Sequence, residues 1–352
     1  MDVLVRAAAL THFFDVADSL NYKPEAAMRS VGLSRTMLEN PEQRVSASAV
    51  VKLLELAALN SGCDHYGLRM AQSRQISNMG VVSLLISHQP TLRDALATTV
   101  AYRHLLNDSL AMQMEESGAT VVVKEEVMSD VPARQSTELA LGVLHRICAV
   151  VLGRNWRPVC VCFRHPEPAD VSLHRTLFAC RLEFSAEFNG LVIAASDLDL
   201  VNPAADPNMV RIARQFVDAI GSREQPSMIS EVRKAIYLML PSGRATCSVV
   251  AQGLGLSMRT LQRHLDTDST DFSTLLHQVR RDLVVQYLAN PQHDVMQVAH
   301  LLGYSRPASF TRWFQQSFGQ APSHYRRALL QSPGRGALAK PQAKPVAKHT
   351  GA

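Results

Sequence analysis

TCSVVAQGLGLSMRTLQRHL, residues 246–265, and DVMQVAHLLGYSRPASFTRWF, residues 294–314, decide how the last third of this chain folds. Each stretch has a short apolar-periodic segment, a turn containing Gly, a Ser placed to cap a helix, and a second segment with outward Arg. This is the helix-turn-helix pattern, and a helix presented in this way fits the major groove of DNA. Two copies on one chain predict a grip on two successive grooves without a partner.

In the first copy Val249, Val250, Leu254, Leu256, Leu261 and Leu265 form the expected small core, with Gly253 and Gly255 at the turn. Ser257 is the expected N-cap of the second helix. Leu261 and Leu265, at i and i+4, then point inward, so Arg259, Gln262 and Arg263 point outward. Arg can pair with guanine O6/N7 and Gln with adenine N6/N7. In the second copy Val295, Val298, Ala299, Leu302, Phe310 and Phe314 are the inward positions. Gly303 marks the turn, Ser305 is the expected cap, and Pro307 falls in the first turn, where a missing N–H does no harm. Arg306, Ala308, Thr311 and Arg312 are the outward candidates, and Trp313 is expected to pack against the following helix. A solvated helix face is the alternative for every outward position. The basic surroundings and the second copy favour DNA.

Between the copies, the apolar positions of residues 271–289 predict one continuous helix. At 1.5 Å per residue it spans about 28 Å, against about 34 Å between adjacent major grooves on one DNA face. Arg280 and Arg281 on this connector are candidate phosphate contacts, with solvated charge as the equal alternative.

Charge is unevenly spread along the 352 residues. Residues 1–224 hold 21 Lys and Arg against 25 Asp and Glu; residues 225–330 hold 11 against 6; residues 331–352 hold 4 against none. An acidic front and a basic back suit a nucleic-acid module attached to something else. The length allows about two domains. The tail from 331, rich in Pro, Gly, Ala and Lys, is expected to be disordered. No run of about 18 apolar residues suggests a membrane helix, the N-terminus has no leader pattern, and a cytoplasmic protein is expected.

The front part reads as mixed α and β: helices over 4–20, 47–59, 92–106, 136–152 and 206–220, and strands over 120–127, 158–163 and 191–195. The expected fold class is an α+β N-terminal domain followed by an all-α domain in which a long helix joins two helix-turn-helix units. The expected divisions are 1–222, a linker at 223–229, the DNA-binding domain at 230–330 and the tail. Residues 26–38 echo the first unit, but Glu39-Asn40-Pro41 ends the second helix after about one turn, which argues against a third unit. The six cysteines are expected to be free and buried. Cys160 and Cys162 fall on one face of a strand with His165 nearby; core packing is favoured over a metal or redox site, and no cofactor or metal is expected.

The stretch from about 230 to 327 resembles the DNA-binding domain of the AraC/XylS family of bacterial transcription regulators. The resemblance is carried by Val298-Ala299, Gly303-Tyr304, Ala308, Phe310, Arg312, Phe314, Gly319, Pro322, Tyr325 and Arg326. Ala308 stands where that family often has Ser, and Asp268-Ser269-Thr270-Asp271 where its first unit usually has a Gly. The front part is similar to the arabinose-binding-type N-terminal domain of the branch that includes ornithine-utilisation regulators. Gly32-Leu33, residues 38–41, Arg44-Val45, residues 53–57 and Gly67-Leu68-Arg69 carry that likeness. The resemblance implies a transcription activator whose partners are double-stranded promoter or operator DNA, RNA polymerase, a small-molecule effector and a second copy of the chain. A front domain that only dimerises is the alternative. An enzyme fused to the same DNA module, as in alkylation-repair methyltransferases, lacks support: there is no Pro-Cys-His-Arg, no Gly-x-Ser-x-Gly and no phosphate loop.

Overall fold

The computed structural model describes residues 3–221 and 227–331, so most of the expected linker and the basic tail from 332 lie outside it. The chain divides into two compact units, one of residues 1–129 and 133–227, the other of 130–132 and 228 onward.

The first unit is α+β. Strands β1 (Leu4–Arg6) and β2 (Arg44–Ser46) form an antiparallel pair. A five-stranded sheet is built from β3 (Leu110–Ser117), β4 (Thr120–Val127), β5 (Cys160–Phe163), β6 (Arg181–Phe184) and β7 (Gly190–Ala194), in the order β3-β4-β7-β5-β6. Only β5 and β6 run parallel, joined through the helix Ser172–Phe178. A 19-residue helix, Arg134–Leu152, is the centre of the unit. Leu141, Leu144, Ile147, Cys148 and Val151 pack into the core under the sheet, and Leu139 packs into a second core with the N-terminal helices. The helix Tyr66–Ser73 approaches so closely that a Cβ on Gly142 would stand 2.5 Å from that of Ala71. Arg134–Leu152 is long and apolar enough to cross a membrane by composition, yet most of it is buried inside this unit.

Residues 4–20 depart from the single helix expected. They form β1, a 3-10 turn over Ala7–Leu10 and the helix Phe13–Ser19, with His12 at φ 67° between them. The cause is tertiary: Ala7 and Ala8 N–H donate to the carbonyls of Gln43 and Pro41, which draws the segment out beside β2. The expected helix over 92–106 breaks at Tyr102 into Leu92–Ala101 and Arg103–Leu106. Strands β3 and β6 had no sequence expectation. The echo at 26–38 folds as Glu25–Ser30 and Arg35–Glu39, and the second of these is five residues long and buries no side chain.

The second unit is all-helical: Met228–Met239, Cys247–Gly253, Met258–Thr267, Phe272–Ala289, Val295–Leu301, Pro307–Phe318 and Pro322–Gln331. Its core is laid along the connector Phe272–Ala289, where Leu275, Val279, Leu283, Val284 and Leu288 are buried. Arg233 and Asp282 pair at 3.1 Å, and Gln286 donates to the Tyr237 hydroxyl at 2.9 Å, fixing the helix Met228–Met239 on the connector.

Candidate nucleic-acid interface and ligand cavity

Each helix-turn-helix starts from a side-chain cap. Thr246 accepts from Val249 N–H at 3.3 Å, and Asp294 forms a reciprocal capping box with Gln297. Gly255 and Gly303, both at φ 69°, make the turns. At Gly303 the space is also tight, with Leu240 Cδ1 3.3 Å from where a Cβ would stand, whereas Gly253 lies in the preceding helix rather than at the left-handed position.

In the first recognition helix, Met258–Thr267, Ser257 Oγ accepts from Thr260 N–H at 3.1 Å. Leu261 and Leu265 are buried, and Arg259, Gln262 and Arg263 are exposed on the same helix. In the second, Pro307–Phe318, the expected cap at Ser305 is replaced: Arg306 is the N-cap residue, in extended conformation and without a side-chain cap bond. Pro307 at the first helical position has no N–H to satisfy, which removes one reason for a cap. Ala308 and Arg312 are exposed, Thr311 is half-buried, and Arg306 is exposed just before the helix. Phe310 and Phe314 are buried. Trp313 is 8% exposed, and its ring packs on those of Tyr304, Phe310, Phe314 and Phe318 in its own helix and the turn before it.

The connector does more than span. Arg280 donates through Nε to the Leu302 carbonyl at 2.9 Å, and its guanidinium sits 4.2 Å from the ring centre of Tyr304. Its expected role as a phosphate contact is therefore corrected: the head group is spent inside the unit, holding the carbonyl end of Val295–Leu301. Arg326 donates to the Pro291 carbonyl at 2.8 Å, so two Arg side chains brace the second helix-turn-helix. Ser269 fills the place after the first recognition helix at φ 55°, the conformation for which a Gly is usual. Asp271 then caps the connector, accepting from Thr274 N–H at 2.7 Å.

The first unit holds a cavity of about 100 Å³ whose walls include Val50, Leu54, Met79, Leu106, Val143 and Leu144. Arg6, Arg74 and Glu125 also line it. Arg6 is paired with Glu42. Arg74 ends the helix Tyr66–Ser73 and donates to the carbonyls of Ala8 and Ala9, while its Nε is buried without a partner. Burial, with Arg6 beside it, lowers the Arg74 guanidinium to about 10. Glu125, 5% exposed, leaves Oε2 buried and unbonded. Burial first, and Glu126 second, push its carboxyl up to about 8.

These cavity residues were missed because positions 6, 74 and 125 share no local spacing. One signal was available: in β4 the buried alternation Val121, Val123, Glu125, Val127 puts an acid on the inward parity.

Cys160 and Cys162 do share a face, with Sγ atoms 3.9 Å apart. His165 is not brought to them; by strand parity it lies on the other side, 3.4 Å from Glu138 Oε1, which His174 Nε2 approaches to 3.2 Å. Glu183 of β6 is the third metal-ligating group within reach of the two thiols. Burial raises both thiols, and they pack with Ala186.

The second unit is thus a DNA-binding unit of two helix-turn-helices. Residues 22–202 match the arabinose-binding domain found N-terminally in AraC transcription regulators, and residues 250–328 match a helix-turn-helix domain. The first match spans more than half of the 352 residues, and the chain belongs to this family of regulators. Over 327 residues it is 24% identical to the HTH-type transcriptional regulator VirS of Mycobacterium tuberculosis, covering 92% of this chain and 96% of that protein. Over 329 residues it is 24% identical to the ornithine utilization regulator of Pseudomonas aeruginosa, covering 92% and 97%. Among solved structures it is similar to the transcriptional regulator CdpR from Pseudomonas aeruginosa, with a TM-score of 0.42 and 19% identity, over 88% of this chain and 98% of that one.

Proposed function

We propose that this regulator is a cytoplasmic activator that reads promoter DNA through both helix-turn-helix units, in response to a small molecule held by the unit of residues 1–222. In this reading the linker is 223–229 and the DNA-binding domain 230–330. Arg259, Gln262 and Arg263 enter one groove; Arg306, Ala308, Thr311 and Arg312 enter the next. The observation that carries it is the pair of recognition helices with outward Arg, joined by an 18-residue helix of about 27 Å. An effector acts by binding two states of the regulator with different affinity, and RNA polymerase is the partner that receives the result. The likeness to an ornithine utilization regulator supports an amino acid or related metabolite as the effector.

A second copy of the chain is a further proposed partner. Ile212 and Phe216, one turn apart on the helix Pro207–Gly221, are 40% and 62% exposed, an apolar pair suited to self-association. Footprinting on the DNA upstream of its own coding sequence, with and without candidate amino acids, tests the whole proposal. Protection of two successive grooves per protomer that changes with a metabolite is expected. Protection that no metabolite alters leaves the dimerisation-only reading in place, and absence of protection rejects the DNA assignment.

A further inference from the structure

The cavity in the first unit has an unusual balance of charge. Its lining is apolar for the most part, yet ionisable groups in it, Arg74 and Glu125 among them, have an unmet bond. Arg74 has a buried Nε without an acceptor, and among the described residues no carboxylate pairs with it. Glu125 has a buried Oε2 without a donor. The other cations of the lining are engaged: Arg6 pairs with Glu42, and Arg103 donates to the Val100 carbonyl.

The two groups come from different walls. Arg74 leaves the end of the helix Tyr66–Ser73 and is held by the carbonyls of Ala8 and Ala9. Glu125 projects from β4, opposite Met112 of β3. Both side chains line the same cavity, Arg74 with Arg6 beside it and Glu125 with Glu126 beside it. Buried polar groups are costly while their bonds stay unmet, so a site that leaves a guanidinium and a carboxyl each with an open bond is built for something that brings both partners.

We propose that this cavity takes a small zwitterion with its carboxylate on Arg74, its ammonium on Glu125, and a short hydrocarbon chain along Val50, Leu54, Val143 and Leu144. This rests on the reading of the first unit as an effector domain and names the chemistry of its ligand. Counting roughly 10–15 Å³ of such space per water-sized atom, the cavity of about 100 Å³ admits a molecule of about eight heavy atoms. A linear amino acid with its amine at the far end of a four-carbon chain has that size. A fatty acid fits only one of the two groups, and an alkyl amine only the other.

Thermal shift and calorimetry on the full chain test this with three probes: 5-aminovalerate, valerate and pentylamine. Binding at least tenfold tighter for 5-aminovalerate than for either of the others is expected. Glu125→Gln, which keeps the shape but removes the acid that would ionise against an ammonium, is expected to reduce 5-aminovalerate to the affinity of valerate. Arg74→Lys is expected to keep part of the response and Arg74→Gln to lose it. Valerate or pentylamine binding as tightly as 5-aminovalerate, with no effect of Glu125→Gln, overturns the ligand class while the cavity stands as an effector site. No binding of any of the three overturns the cavity as a ligand site altogether.

Discussion

The guanidinium of Arg280 lies 4.2 Å from the ring centre of Tyr304 and donates to the carbonyl of Leu302, the residue that closes the helix before the turn. The connector helix and the second helix-turn-helix are thereby one rigid piece. The Gly-aromatic pair of the family motif gains a physical reason: Gly303 makes the turn, and Tyr304 is the platform on which the connector's Arg rests. Arg280→Ala is expected to destabilise the second unit by about 1–3 kcal/mol, the range of a charged hydrogen bond with a cation–π contact. Urea unfolding of the parent and variant checks the loss. The salt dependence of DNA affinity should keep its slope, since no phosphate contact is removed. A slope smaller by about one, with stability unchanged, would return Arg280 to the phosphates.

Ser269 holds a left-handed backbone at φ 55° between the first recognition helix and the cap Asp271. A Gly adopts that conformation without the Cβ clash. Ser269→Gly is expected to stabilise the unit by about 0.5–1 kcal/mol, seen as a raised denaturation midpoint with an unchanged slope. A lowered midpoint would refute the strain.

Arg263 and Arg312 are exposed Arg residues in the middle of the two recognition helices, each beside buried apolar neighbours that fix the helix orientation. Arg263→Ala or Arg312→Ala is expected to cost about 1–3 kcal/mol on the cognate site and to relax base preference there. Selection of binding sites from a random DNA pool reads this directly, and identical preferences in parent and variants would exclude these helices as readers.

Glu125 titrates at about 8 in the folded chain, raised from 4.5 chiefly by burial and then by Glu126. A carboxyl raised on folding binds its proton more tightly in the native state. Its contribution to stability is therefore full below pH 4.5 and is lost as the pH climbs to 8. Relative to the parent, Glu125→Gln should gain stability from pH 5 to pH 8, on the order of a few kcal/mol across that window. Glu55, raised to about 7 by burial, leaves a residual slope in both proteins, so the difference between them is the measured quantity. A pH-independent difference would place Glu125 in contact with solvent or an unseen partner.

The helix-turn-helix units were legible because everything they need is local. Apolar periods, the caps Ser257 and Asp294, and the left-handed Gly255 and Gly303 lie within about 20 residues of one another. The Ser305 cap failed on an equally local fact, since Pro307 sets the helix start one residue later than the pattern suggested. In the first unit the long helix Arg134–Leu152 announced itself by its period. Strand β1 did not, because three residues acquire strand geometry only through pairing with β2, some 40 positions away. Strand β3, LAMQMEES, reads in composition as well for a helix, and its pairing with β4 decided otherwise.

Two things divide at the same line. The sequence by itself determined the DNA-binding unit and the family, because short-range capping, turn chemistry and helical periodicity encode them within contiguous residues. Only the tertiary structure decided where the charged side chains spend their bonds. Arg280 turned inward to Tyr304, His165 turned away from the cysteines to Glu138, and Arg74 and Glu125 met in one cavity. Those outcomes depend on which distant segments exclude water from a given group, and burial of that kind has no signature in a local run of residues.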